Sequence, residues 1–181
     1  MKLAALSVAI LIFPSLSWAQ TLCRPGEIDY FSCQTTAKQK IFSVCGNITD
    51  GEINSESWLQ YRFGNDGAIE LSYPQKASGS VEKFEGNYFD RYNVADLRFI
   101  NGGTLYSVEF NYSYNGNEAQ RRDRPSGGIT VHIGKFKRVS IPCKRVNASK
   151  YFRLFSDLNA SIRTHNGETD MLHHYFNYVS K

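Results

Sequence analysis

Four cysteines, Cys23, Cys33, Cys45 and Cys143, constrain the fold of this chain more than any other feature. Three sit close together near the N-terminus and the fourth lies far downstream. None forms a C-x-x-C, so the spacing offers neither a redox pair nor the close ligand pairs of a structural zinc site. The first residues say which environment the thiols meet. Met1-Lys2 gives a short positive start, "LAALSVAILIF" is an apolar run too short to span a bilayer comfortably, Pro14 breaks it, and "SLSWA" ends on small residues. This pattern predicts a secretory signal cleaved after Ala19, leaving residues 20–181 as one domain outside the cytoplasm. Cysteines of even number in an oxidising compartment predict two disulfides, with three pairings open.

"FSCQTTAKQKIFSVCG", residues 31–46, reads as a hairpin. Setting Cys33 opposite Cys45 also sets Thr35 opposite Ser43 and Ala37 opposite Ile41, with the turn at Lys38-Gln39-Lys40. That register predicts a Cys33–Cys45 staple and leaves Cys23 to pair with Cys143.

From Ile28 to Cys143 the chain is rich in Tyr, Phe, Val and Ile, punctuated by turn residues at short intervals. The rhythm predicts an antiparallel β-sandwich or barrel-like domain. In "LQYRFGNDGAIELSYP" the apolar residues share a face if Phe63 pairs with Ile69 across a five-residue loop, which sets Arg62 opposite Glu70 on the wet face. In "DLRFINGGTLYSVEFNYSY" a Gly102-Gly103 turn sets Phe99 opposite Tyr106 and Leu97 opposite Val108. Tyr106, Val108, Phe110, Tyr112 and Tyr114 then form one stripe, either core or ligand platform. "NGNEAQRRDRPSGG", residues 115–128, reads as a loop, and "ITVHI" and "KRVSIPC" as strands around Gly134. Beyond them the period becomes helical. Phe152, Phe155, Leu158 and Ile162 fit one helix, capped by Asn147 or Ser149, and a second begins at Thr169 or Asp170, so residues 147–181 read as about two helices packed on the β-domain.

Residues suited to catalysis are thin. His173 and His174 are adjacent and so diverge on a helix, His132 alternates with Val131 and Ile133, and His165 stands alone. No G-x-S-x-G elbow or H-E-x-x-H occurs. Glu82, Glu85 and Asp90 are the densest carboxylates. Neither metal nor cofactor is expected. The net charge of +4 is mild, and no nucleic-acid-binding motif accompanies it. N-x-[ST] acceptors at Asn47, Asn111, Asn147 and Asn159 matter only in a eukaryotic source, and the signal has a bacterial look.

The sharpest charge feature is "RRDRP". Arg121, Arg122 and Arg124 stand in a long polar loop, and such loops are often functional. Arg favours interfaces and planar anions. With Tyr112 and Tyr114 they are the candidate binding residues. Lys135, Lys137, Arg138, Lys144 and Arg145 extend the positive charge and, if they converge, form one basic patch.

"FSC" (31–33), "KIFSVCG" (40–46), "LQYRFG" (59–64) and "IELSYP" (69–74) together resemble a group of small exported bacterial proteins, most without an assigned function. The resemblance covers about the first third of the mature chain and implies a disulfide-stapled periplasmic β-domain. In size and compartment the chain is also similar to periplasmic lysozyme inhibitors and immunity proteins. The expected function is therefore an exported binding protein that recognises and neutralises another macromolecule, most simply an enzyme or toxin protein, in the envelope. The alternatives are a glycan hydrolase with dispersed carboxylates and a structural envelope component.

Overall fold

The computed structural model describes residues 20–49, 52–89, 94–112 and 125–158. Nine strands follow in chain order: β1 (Ile28–Thr35), β2 (Ile41–Gly46), β3 (Leu59–Asn65), β4 (Ala68–Tyr73), β5 (Glu85–Phe89), β6 (Val94–Asn101), β7 (Thr104–Tyr112), β8 (Pro125–Ile133) and β9 (Lys137–Asn147). A 3-10 turn at Val81–Lys83 precedes β5, and one helix, α1 (Tyr151–Leu158), follows β9. All strands join one antiparallel sheet in the order β4-β3-β2-β1-β9-β8-β7-β6-β5. The long-range link is β1 with β9, which joins the start of the domain to its last strand.

The sheet closes on its apolar face as a half-barrel, not as the two layers of a sandwich. Aromatic contacts record the curl. Tyr61 of β3 and Tyr73 of β4 meet Phe99 of β6 at ring-centroid distances of 5.0 and 4.7 Å, although five strands lie between β3 and β6 in sheet order. Phe99 in turn stacks on Tyr106 at 4.9 Å. Phe31, Phe42, Val44, Leu97, Val108 and Ile129 fill the hollow. Each such side chain stabilises the fold by about 1.5–3 kcal/mol through burial. α1 plugs the remaining opening. Its Tyr151 is fully buried against Phe31, and its hydroxyl donates to the Val108 carbonyl at 2.7 Å. Burial drives that phenol far above its ordinary pKa, so it stays neutral.

The β6–β7 hairpin forms as expected, with Phe99 opposite Tyr106, Leu97 opposite Val108 and a turn at Gly102-Gly103, both at positive φ. Tyr106, Val108 and Phe110 of the aromatic stripe face the core. The β3–β4 hairpin differs. Asp66-Gly67 makes a two-residue turn, and a bulge between Phe63 and Gly64 moves Phe63 opposite Leu71 and Arg62 opposite Ser72. A two-residue shift keeps every side chain on its expected face, so Glu70 is free to pair instead with Lys40.

The β1–β2 register differs more. Cys33 lies opposite Phe42, and Cys45 opposite Asp29. The shift from the expected register is odd in number, so Cys33 and Cys45 project from opposite faces and cannot bond. The connection is wider than the expected three-residue turn: Gln34 faces Ile41, the Thr35 N–H donates to the Lys40 carbonyl, and Lys38 and Gln39 turn the chain at positive φ. The disulfides are accordingly Cys23–Cys45 and Cys33–Cys143, each with a Cα–Cα distance of 5.5 Å, correcting the expected Cys33–Cys45 and Cys23–Cys143 pairing. Residues 125–128, expected as loop, open β8, because Gly127 and Gly128 let flanking backbone approach closely. Asn147 ends β9 and caps neither end of α1; the Tyr151 N–H donates to the Ala148 carbonyl, and α1 begins there. The signal peptide and the second helix lie outside the described residues.

Candidate functional site: a polar groove across β6 to β9

Strand alternation sends Leu97, Phe99, Val108 and Ile129 into the hollow and their neighbours to the other face. There the register aligns three rows that cross the strands. One row is Val94, Asn111 and Ser126. The next is Asn87, Asp96, Glu109, Gly128 and Pro142. The third is Glu85, Arg98, Ser107, Thr130 and Ser140. A groove of about 470 Å³ runs over them, within the range of ligand clefts. Its floor lies where Gly128 offers no side chain between Glu109 and Pro142. A Cβ at Gly128 would come within 2.9 Å of the Ile141 carbonyl oxygen, so any other residue disturbs both the sheet and the floor.

The floor is electrostatically fixed. Asp96 is buried, its Oδ2 paired with Arg98 and its Oδ1 accepting from the Ser107 hydroxyl. Burial pushes the Asp96 carboxyl up; Arg98 and Ser107 pull it part of the way back, and Glu109 opposite adds to the rise. Glu109 itself is exposed, and makes no ion pair among the described residues. Beside the groove, Thr130 Oγ1 and Asn87 Nδ2 are buried polar atoms without a hydrogen-bond partner among the described residues. Unmet buried polar groups cost free energy, so this face holds unused hydrogen-bonding capacity.

The β7–β8 connection springs from the groove's rim. The last register pair is Tyr112 with Pro125, immediately beyond the groove-lining pair Asn111 and Ser126. Arg121, Arg122 and Arg124, the sequence candidates, belong to the segment that joins these strand ends. They and Tyr114 lie outside the described residues, as does the side chain of Tyr112. Asp96, Arg98 and Glu109 were not singled out in the sequence, where they read as ordinary outward positions of a strand. The available signal was Gly127-Gly128 immediately before the alternating run Ile129 to Ile133, since glycine within a strand marks a close approach or an opening.

Other candidates disperse. Glu82 is exposed beside Lys83, and Glu85 stands opposite Arg98; Asp90 lies outside the described residues. His132 faces away from the core, opposite Arg138, and burial together with Arg138 lowers its pKa, favouring the neutral ring. Lys135, Lys137 and Arg138 cluster at the β8–β9 turn, whereas Lys144 and Arg145 lie about 20 Å along β9 at the usual strand rise, so two clusters replace the single patch. Cys23, Glu27 and Cys45 lie together, but the sulfurs are bonded to each other and Arg62 holds the carboxylate, so the cluster is a staple beside an ion pair.

What these features define is a β half-barrel with two cystines and an open polar groove on its outer face. Comparison with protein-family models, with curated proteins and with solved structures returned no match.

Proposed function

We propose that this protein is an exported binding protein that recognises and neutralises another macromolecule of the bacterial envelope. The observation that carries this reading is the groove. Its rows of Ser126, Asn111, Glu109 and Ser140 offer donors and acceptors at strand spacing above a rigid Asp96–Arg98 pair, an arrangement suited to an extended chain laid across the sheet. Arg121, Arg122 and Arg124 fall in the sequence between Tyr112 and Pro125, the strand ends that border the groove, and Arg is favoured for planar carboxylate contacts. Two cystines suit an oxidising location, and one of them, Cys33–Cys143, holds the groove-bearing strand β9 to β1. Replacing Arg121, Arg122 and Arg124 together with alanine is expected to weaken the partner complex about a hundredfold in calorimetry or pull-down. Unchanged affinity at matched salt would sink the role of this segment.

A second reading, an envelope glycan hydrolase, has one observation in its favour: Asp96 and Glu109 oppose each other across β6 and β7 in the same groove. Paired carboxylates facing one cleft are the tools of glycosidases. Against it, both Asp96 oxygens are already engaged by Arg98 and Ser107. A reducing-end assay on purified cell-wall glycan separates the two. The binding reading expects no release by the wild type; release that Glu109→Gln abolishes supports the hydrolase instead.

A further inference from the structure

The β8–β9 hairpin ends in an exposed, strongly basic and apolar tip that the groove does not use. Ile133 pairs with Lys137, and Gly134, Lys135 and Phe136 make the turn between them, with Gly134 at φ +65° taking the left-handed position. Phe136 is 91% exposed, and behind it Ile133 and Val139 are 45% and 38% exposed. Lys135 and Lys137 flank Phe136 in the chain and Arg138 follows on the opposite face of the hairpin from Val139, the Lys135 ammonium lying 5.7 Å from the Phe136 ring centroid. From Ile129 to Asn147 the chain has five Lys or Arg residues, at 135, 137, 138, 144 and 145, and no Asp or Glu. An apolar point this exposed has a cost in water unless something covers it, and the charge around it selects an anionic cover.

We propose that this tip docks the protein on an anionic lipid bilayer surface, with Phe136 inserted at the headgroup boundary and Lys135, Lys137 and Arg138 at the phosphates. The chemistry favours a lipid surface over an acidic protein. The apex is convex and carries one ring, whereas protein hot spots seat their anchors in a shaped, desolvated pocket. Both cations next to Phe136 are lysines, flexible point charges that suit a diffuse layer of headgroups, whereas planar carboxylate pairing favours the arginine fork. Their apolar stems can lie along the acyl boundary while the ammonium groups stay in the headgroup layer. Depth agrees as well. Val139 lies two strand residues behind Lys137, about 7 Å at the usual rise, so the three apolar side chains fit the roughly 5–10 Å that interfacial segments occupy.

The test uses the purified protein with vesicles of phosphatidylglycerol and phosphatidylcholine in equal parts, and vesicles of phosphatidylcholine alone. Cosedimentation is expected with the anionic vesicles only, falling as salt rises. Phe136→Asp is expected to reduce binding about tenfold or more, and Lys135→Glu with Lys137→Glu and Arg138→Glu to abolish it. All four positions are exposed, so far-ultraviolet circular dichroism should be unchanged in both variants. In Phe136→Trp, the indole emission is expected to shift to the blue on binding. Equal binding by Phe136→Asp overturns the proposal, as does absence of vesicle binding by a protein that instead binds polyglutamate through the same lysines, the result an acidic protein partner predicts.

Discussion

Replacing Cys33 and Cys143 together with alanine is expected to lower the free energy of unfolding by about 5 kcal/mol, the larger of the two disulfide effects. The reason is topological. β1 and β9 are neighbours in the sheet but lie at opposite ends of the described chain, and the bond closes a loop with a sequence separation of 110. Without it, closing that loop draws on the conformational entropy of β2 to β8 all at once. The chain-entropy relation gives nearly 5 kcal/mol for a loop of this size and about 3 kcal/mol for the separation of 22 spanned by Cys23–Cys45. Domains of this size hold about 5–15 kcal/mol in total, so the first loss removes much of the reserve. Cys33 is wholly buried, and the two added alanines leave space in the core that deepens it. Urea unfolding of both double variants checks this; an equal or larger loss for Cys23→Ala with Cys45→Ala would contradict the assignment of β1–β9 closure as the main constraint.

Arg62→Ala carries the second large effect, an expected loss of roughly 3 kcal/mol. The guanidinium is buried on the polar face of β3 and nearly saturated. Nε donates to Gln60 Oε1 at 2.8 Å, Nη1 to the Leu22 carbonyl at 2.9 Å and to Glu27 Oε2 at 2.5 Å, and Nη2 to Glu27 Oε1 at 2.9 Å. It thus holds residues 22–27 against the sheet, where the Cys23–Cys45 bond and the Leu22 N–H to Ser43 bond also fasten them. Removing it strands a carboxylate, a carbonyl and an amide. Glu27 keeps some access to water, which places the loss at the low end for a buried pair. A double-mutant cycle with Glu27→Gln should give a coupling of about 1–3 kcal/mol. The pH dependence has a definite sign. Burial alone would raise the Glu27 pKa, but hydrogen bonds from Arg62 and the Arg24 N–H bring it below the ordinary 4.5. The folded state therefore binds its proton more weakly than the unfolded state. The Glu27 contribution is complete above pH 4.5 and fades as the pH falls below that value toward the folded pKa. Arg62→Ala should lose most at neutral pH and least in acid.

The two corrections to the strand registers have a common cause. Gly102-Gly103 permits little besides a two-residue turn, so β6–β7 was legible from its sequence. "GNDGA" admits either a five-residue loop or a two-residue Asp-Gly turn with a bulge, and hydrophobic alternation cannot separate registers that differ by two. In β1–β2 the turn uses Lys38 and Gln39 at positive φ, which nothing in those residue types announces. The cystine pairing followed that register and fell with it. It also depended on β1 lying between β2 and β9, a neighbour relation set by tertiary packing.

Side chains judged by alternation alone were misread where the outer face is covered. Arg62 falls at a polar position of an alternating strand, and its neighbours Gln60 and Ser43 agree. Only the N-terminal segment folded over that face turns it into a buried anchor. The groove was hidden for the converse reason. Asp96, Ser107, Glu109 and Ser140 come from three strands, β6, β7 and β9, and no short motif gathers them; only the register does. The Phe136 tip was half legible, because Lys135, Lys137 and Arg138 stood out as charge while the aromatic between the two strands around Gly134 was not singled out.

The proposed function is tested most directly by placing a photo-reactive benzoyl-phenylalanine at Ser126, on the rim of the groove, and at exposed Glu52 as a control, then irradiating cells that produce the protein. The binding reading expects a discrete macromolecular adduct at Ser126 that is absent at Glu52 and diminished when Arg121, Arg122 and Arg124 are alanine. An adduct at Glu52 with none at Ser126 would place the partner elsewhere on the molecule and contradict the groove as its site.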